Sequence, residues 1–153
     1  MEDSAKRTPS SREQFWEQGS YAVIGHTGSK RHFPLFTYRG LKSLGKTVYA
    51  VDPGAREIGG DPAYPDLSAL PAPVEAAVLE LPKDEVLAWV GRAADAGVRG
   101  LWFHDGTETP EALALAASRG LRVETGACAV MYVTPGFTFH SIHKWICQVT
   151  GKY

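Results

Sequence analysis

The sequence predicts an α/β protein in which a parallel sheet is covered on both faces by helices. Short apolar runs alternate along the chain with amphipathic segments, and continuous apolar runs are typical of strands buried on both faces. The first run, residues 20–25, breaks into a small-residue loop before an amphipathic segment. That strand, loop and helix predict a site for a phosphorylated ligand, because glycines allow close approach and a helix start offers free N–H groups.

Each predicted element has a local signal. Pro34 and Pro110 suit the first turn of a helix, and Gly45, Gly97 and Gly120 stand where helices end. Residues 59–73 are rich in Pro, Gly and Asp and predict an irregular stretch. In chain order the elements are a helix at 12–17, strand 20–25, helix 34–44, strand 47–51, one helical turn at 67–70, strand 74–81, helix 83–96, strand 100–103, helix 110–118, strand 121–124 and a last helix at 139–148.

Five strands separated by helices predict a doubly wound, Rossmann-like sheet in three α/β/α layers, because right-handed crossovers place helices on both faces. We expect the strand order 3-2-1-4-5, with the switch point between the first and fourth strands. At 153 residues the chain fits one domain. We expect a disordered tail at 1–11 and a single domain at 12–153 that includes the last helix.

Two nucleotide motifs are matched only superficially. A dinucleotide fingerprint that starts at Gly25 would need glycine where Thr27 and Lys30 stand. Residues 40–47 match the P-loop pattern letter for letter, yet a P-loop follows a strand and opens a helix. Here the order is reversed, because a helix precedes the match and a strand follows it, and we therefore predict that it is a false positive.

Composition restricts the classes of function. Hydrophobic residues make up 44% and charged residues 22%, as in ordinary globular proteins. A net charge of -1 argues against a nucleic-acid partner, and no apolar run is long enough to span a membrane. The first twelve residues are polar and lack the apolar core of a signal peptide, so we expect a cytoplasmic location. The two cysteines, Cys128 and Cys147, are expected to be reduced thiols.

A combination of motifs resembles the small stand-alone CoA-binding proteins, which share their fold with the CoA-binding domain of the succinyl-CoA synthetase alpha subunit. The resemblance covers the chain from Tyr21 to about Met131, and its specificity lies in the order of the motifs. These motifs are the run 21–25, the strand end 51–54, residues 63–67 with Pro71 and Val74, residues 101–103 with Gly106, and residues 120–123 followed by Cys128.

The resemblance implies a coenzyme A cleft at the carboxyl ends of the strands, where ligands of such sheets sit. Cations in two loops would face the phosphates of CoA, and Thr27, Gly28 and Ser29 would donate hydrogen bonds to phosphate. Asp52 is compatible with CoA and with the ribose of NAD, so this residue alone does not distinguish the two ligands. The predicted cofactor-binding residues are Gly25, His26, Thr27, Gly28, Ser29, Lys30, Arg31, Asp52, Pro53, Gly54, Arg56, Pro82, His104 and Gly106.

Three other groups of residues have reactive or metal-binding side chains, but none of them forms a complete catalytic or metal site in the sequence. His104 and Asp105 are neighbours on a strand end and would point to opposite faces, so we expect His104 to line the cleft and not to form a catalytic dyad. Cys128 would lie near the pantetheine arm, where a mixed disulfide with the CoA thiol is one alternative, and we expect it to be a small buried hydrophobe. His140, His143 and Cys147 share a helix face but span too much length to close on one ion, so no metal is expected.

We therefore expect a protein that binds CoA or acyl-CoA and performs no catalysis of its own. The expected protein partners are a second copy of the chain or an acyl-CoA enzyme. Three alternatives stay open: an NAD-binding oxidoreductase, an accessory subunit of an acyl-CoA synthetase, and a protein whose empty cleft serves only association with another chain.

Overall fold

The structure is a computed structural model that describes residues 10–26, 33–104, 106–125 and 129–133. Within these ranges no helix combines the length and apolar composition that crossing a membrane requires. The helices are α1 (Ser11–Phe15), α2 (Phe33–Ser43), α3 (Val86–Asp95), α4 (Pro110–Ser118) and α5 (Val130–Val133), with a short 3-10 helix at Leu67–Ala69. The strands are β1 (Ser20–Gly25), β2 (Thr47–Val51), β3 (Glu57–Ile58), β4 (Asp61–Tyr64), β5 (Ala76–Glu80), β6 (Gly100–Phe103) and β7 (Arg122–Glu124).

The sheet has seven strands in the order β3-β4-β2-β1-β5-β6-β7. All pairings are parallel except that between β3 and β4. The α/β class is confirmed, whereas the predicted count of five strands and the predicted order are wrong. The fourth strand along the chain, β4, lies inside the stretch predicted to be irregular and pairs with β2. Because β5 pairs directly with β1, the switch point lies between those two strands.

Side chains alternate between two apolar layers. Ala22 and Ile24 of β1 face a core built with α3, α4 and the short 3-10 helix. Tyr21 and Val23 face a second core, to which α1, α2 and α5 contribute. Both cores contain residues of β1, β5 and β6 with little or no exposed surface, as expected of parallel strands covered on both faces. The predicted three-layer arrangement is thus present in the described residues.

Three helices end in the same glycine-dependent turn. Gly45, Gly97 and Gly120 have φ of 76°, 82° and 70°, a region that favours glycine. In each case the residue after the glycine donates to a carbonyl five residues back, as in Lys46 to Leu41 at 3.2 Å. The P-loop-like match therefore spans a helix end and the start of β2, and the prediction that it is a false positive is confirmed.

Candidate functional site

The switch point places the carboxyl ends of β1 and β5 side by side, with Gly25 opposite Glu80. A Cβ atom on Gly25 would lie 2.7 Å from Cγ of Pro34 and 2.8 Å from the carbonyl oxygen of Glu80. Such contacts leave no room for a side chain, so glycine is required for α2 to begin this close to the sheet. Sequence reasoning selected Gly25 for ligand access, and the structure adds this packing constraint.

His26 follows β1 and contacts the loop that precedes α3. Its Nε2 lies 2.9 Å and 2.7 Å from the two carboxylate oxygens of Glu85. The two side chains are 43% and 36% exposed, so solvent screens the pair. The contact joins the segments that leave the two strands of the switch point, and it positions an imidazole at the mouth of the predicted cleft.

Asp52 follows β2 and is buried, at 2% exposure. Its Oδ1 accepts a hydrogen bond from the backbone N–H of Gly54 at 2.8 Å, and its own N–H donates to the carbonyl of Tyr64 at 2.8 Å. Asp52 therefore shapes the turn after β2. Pro53, Gly54 and Arg56 lie on this turn with exposed side chains or backbone, so the Arg56 guanidinium is accessible to an anion.

His104 follows β6 and is half-buried. Its N–H donates to the carbonyl of Leu79 at 3.0 Å, which ties the end of β6 to β5. Its carbonyl accepts from both the backbone and the hydroxyl of Thr107, at 3.0 Å and 2.7 Å. Gly106 within this turn has φ of 75°. Pro82 is exposed after β5, and its carbonyl accepts from the N–H of Glu85 at 3.0 Å.

Glu80, a residue that sequence reasoning did not select, is a buried carboxyl group at the switch point. The hydroxyl of Thr37 in α2 donates to its Oε1, and its Oε2 is buried without a hydrogen-bond partner among the described residues. Burial raises the pKa of Glu80 to about 7, while the Thr37 hydrogen bond opposes that rise. The available signal was an acid at the end of the otherwise apolar run 76–81.

Several predicted residues lie outside the described part of the chain. These are Thr27, Gly28, Ser29, Lys30, Arg31, Asp105, Cys128 and the last helix with His140, His143 and Cys147. Their roles stay predictions. Among the residues that the structure does describe, no group of three His, Cys, Asp or Glu side chains is arranged to hold a metal ion.

Two surface cavities of the described residues lie away from this edge. One, of about 290 Å³, lies at the opposite end of the sheet, between α1 and the starts of β5, β6 and β7, and Phe15, Glu75 and Arg99 help to line it. The other, of about 460 Å³, lies between residues 66–73 and the end of α3. Neither contains a predicted cofactor-binding residue.

A family model described as a CoA binding domain matches residues 19–134. That match includes every strand of the sheet and the whole carboxyl edge. None of the curated proteins compared with the sequence matches it.

Solved structures show the same fold. A conserved hypothetical protein from Pyrococcus furiosus is 27% identical with a TM-score of 0.65, over 74% of this chain and 97% of that one. A structure from Thermus thermophilus covers 88% of this chain and 95% of its own, with a TM-score of 0.68 at 20% identity, which indicates the fold alone. The dinucleotide-forming acetyl-coenzyme A synthetase 1 from Ca. Korarchaeum cryptofilum, in complex with phosphate and ADP, is 29% identical with a TM-score of 0.64, over 74% of this chain and 27% of the synthetase.

Proposed function

Because the chain belongs to the family of CoA-binding domains, we propose that it binds coenzyme A or acyl-CoA at the switch point between β1 and β5, without catalysis of its own. The family match over residues 19–134 is the observation that carries this proposal. The geometry supports it, since ligands of open α/β sheets bind where strand order reverses, outside the carboxyl ends of the strands.

The phosphates of CoA would bind residues 27–31, between β1 and the start of α2. That segment carries Lys30 and Arg31, and the first turn of a helix presents N–H groups without partners to an anion. The tight contact of Gly25 with Pro34 and Glu80 fixes where α2 begins. This loop and the turn after β2, with Arg56, would flank the nucleotide.

Calorimetric titration of the full chain with CoA, dephospho-CoA, acetyl-CoA and NAD tests the proposal. We expect CoA and acetyl-CoA to bind and NAD to bind much more weakly or not at all. Mass spectrometry of ligand released from protein purified without added cofactor gives an independent readout. Tighter binding of NAD than of CoA would favour the oxidoreductase alternative, and binding of neither would contradict the proposal.

We propose that Arg56 selects CoA by contacting the 3′-phosphate of the ligand, because the exposed Arg56 side chain follows the turn that Asp52 shapes. Arg56→Ala should weaken the binding of CoA by about 1.5–3 kcal/mol, which is the usual contribution of a charge-assisted hydrogen bond. It should weaken the binding of dephospho-CoA much less. Arg92→Ala is a matched control, since Arg92 stacks over Trp89 in α3, away from the carboxyl edge. Equal loss for CoA and dephospho-CoA would show that Arg56 acts elsewhere.

An association with an acyl-CoA synthetase partner is a second candidate role. It is supported by the 29% identity to part of the acetyl-coenzyme A synthetase, of which this chain spans 27%. The free chain should then show no turnover of acyl-CoA substrates. The assay measures release of free CoA from a panel of thioesters. Release that is abolished in a His104→Ala, Asp105→Ala double variant would overturn the expectation that the chain is not catalytic by itself.

A further inference from the structure

Glu80 is a buried acid at the switch point that the proposed contacts to CoA leave unexplained. It is the last residue of β5 and pairs with Gly25, the last residue of β1. Its carbonyl oxygen would lie 2.8 Å from a Cβ on Gly25. Glu80 therefore lies beside the end of β1, at the switch point where we propose that CoA binds, and its partner Thr37 lies near the start of α2.

The carboxyl group has one hydrogen bond where an ionised form would need several. Only 9% of Glu80 is exposed, and Oε1 accepts from the Thr37 hydroxyl. Oε2 is buried without a partner in the described ranges. A buried carboxylate without compensating donors is costly, whereas the neutral acid is not, and burial raises the pKa of Glu80 to about 7. Both forms are therefore populated near neutral pH.

The described charges near this point leave Glu80 without a counter-ion. After β1, His26 binds Glu85, the residue that precedes α3. His104 follows β6, next to the end of β5. In α2, Tyr38 and Lys42 bind Asp61, and Arg39 lies 3.2 Å from the Cβ position of Gly59. On the same face α5 contributes Tyr132, which stacks on Trp16. None of these groups is among the causes of the pKa shift of Glu80.

A phosphate at the start of α2 would add negative charge close to this carboxyl group, and in a poorly solvated site the repulsion would favour the neutral acid. We propose that binding of CoA is coupled to the uptake of a proton by Glu80, so that affinity falls as pH rises through and above neutrality. The proton comes from solvent and is released when the ligand leaves. This coupling rests on the proposed function, and it assigns Glu80 as a positioning residue that sets the charge of the site.

Calorimetry of the full chain with CoA, in two buffers of different ionisation enthalpy, measures the proton uptake directly. We expect uptake by the natural protein near pH 7 and an affinity about tenfold lower at high pH than at low pH. Glu80→Gln should abolish most of the uptake and bind CoA with nearly pH-independent affinity. Unchanged uptake in Glu80→Gln would overturn the proposal.

Thr37→Val provides a test that a purely structural role of Glu80 would not reproduce. Loss of the hydroxyl removes the hydrogen bond that lowers the pKa of Glu80, so the fall in affinity should move to higher pH. An unmoved pH profile would count against the proposal.

His26→Gln is the control for a rival proton acceptor. Proton uptake that disappears in His26→Gln and persists in Glu80→Gln would also overturn the proposal. If CoA does not bind at any pH, the proposed function fails, whereas binding without Glu80-dependent uptake refutes only the coupling.

Discussion

Glu80 shows how a single residue can oppose the stability of the fold that buries it. In the folded state its pKa is raised from the usual 4.5 to about 7, because burial disfavours the charged form. The folded state thus binds the proton more tightly than the unfolded chain does. The stabilisation that this proton gives the folded state is fully present below about pH 4.5 and is lost as pH rises to about 7. The loss lowers the free energy of unfolding by about 3 kcal/mol.

Glu80→Gln should remove this part of the pH dependence of stability. The amide keeps the shape of the side chain and an oxygen for the Thr37 hydroxyl, but it does not ionise. We expect the free energy of unfolding of the variant to equal that of the natural protein near pH 4.5 and to exceed it by up to about 3 kcal/mol at pH 8. Urea unfolding across this range gives the free energies. Curves that stay parallel for the two proteins would show that Glu80 ionises freely in the folded state.

At the scale of elements, α2 and α5 depend on a glycine at their contact. A Cβ on Gly40 would lie 2.5 Å from both Cγ2 and the carbonyl oxygen of Val133. Gly91 in α3 differs, because its Cβ would meet only Cδ2 of Leu115, at an ordinary 3.9 Å. The two residues occupy helix interiors, yet only Gly40 is required by a neighbouring element.

Gly40→Ala and Gly91→Ala should therefore change stability in opposite directions. Overpacking at Gly40 should destabilise the fold by about 1–3 kcal/mol, because the close contact involves the backbone of α5. Alanine at Gly91 should stabilise it by up to about 1 kcal/mol through helix propensity. Chemical denaturation of both variants measures this difference. A stabilising Gly40→Ala would mean that α5 does not pack on α2 as described.

The elements with strong local signals were predictable, and those defined by distant partners were not. Strands β1, β2 and β6 were predicted at their observed bounds, because each is a continuous apolar run between turn residues. Strand β4 was missed because its four residues include Asp61 and Pro62, which disfavour strands. It forms near the sheet edge through pairing with β2 and through Tyr38 and Lys42, which bind Asp61.

The same distinction applies to the candidate site. Gly25, Asp52 and His104 were identified because they follow apolar runs, and the structure places all three at the carboxyl edge of the sheet. Glu80 was missed because its environment depends on Thr37, which is 43 residues away in the sequence. A single acid in an apolar run does not reveal whether its side chain is solvated, paired or buried.

For the molecule as a whole, the main question is which end of the sheet binds ligand. The carboxyl end carries Gly25, Asp52, Glu80 and His104, while the amino end carries the cavity of about 290 Å³ that Phe15 helps to line. Glu75, which lines that cavity, already accepts a hydrogen bond from the N–H of Gly19. The strand order favours the carboxyl end, because only there do the loops diverge at the switch point.

Hydrogen exchange with and without CoA should therefore show protection confined to the carboxyl end of the sheet. Slower exchange is expected after β1, β2, β5 and β6, since bound ligand stabilises the states in which these turns are closed. Peptides that contain the starts of β5 and β6 report on the opposite end and should be unaffected. Arg99→Ala at the amino-end cavity is the matched control, and it should leave the protection pattern unchanged. Protection of the amino end that is lost in Arg99→Ala would instead place the ligand in the cavity beside α1 and would contradict the assignment to the switch point.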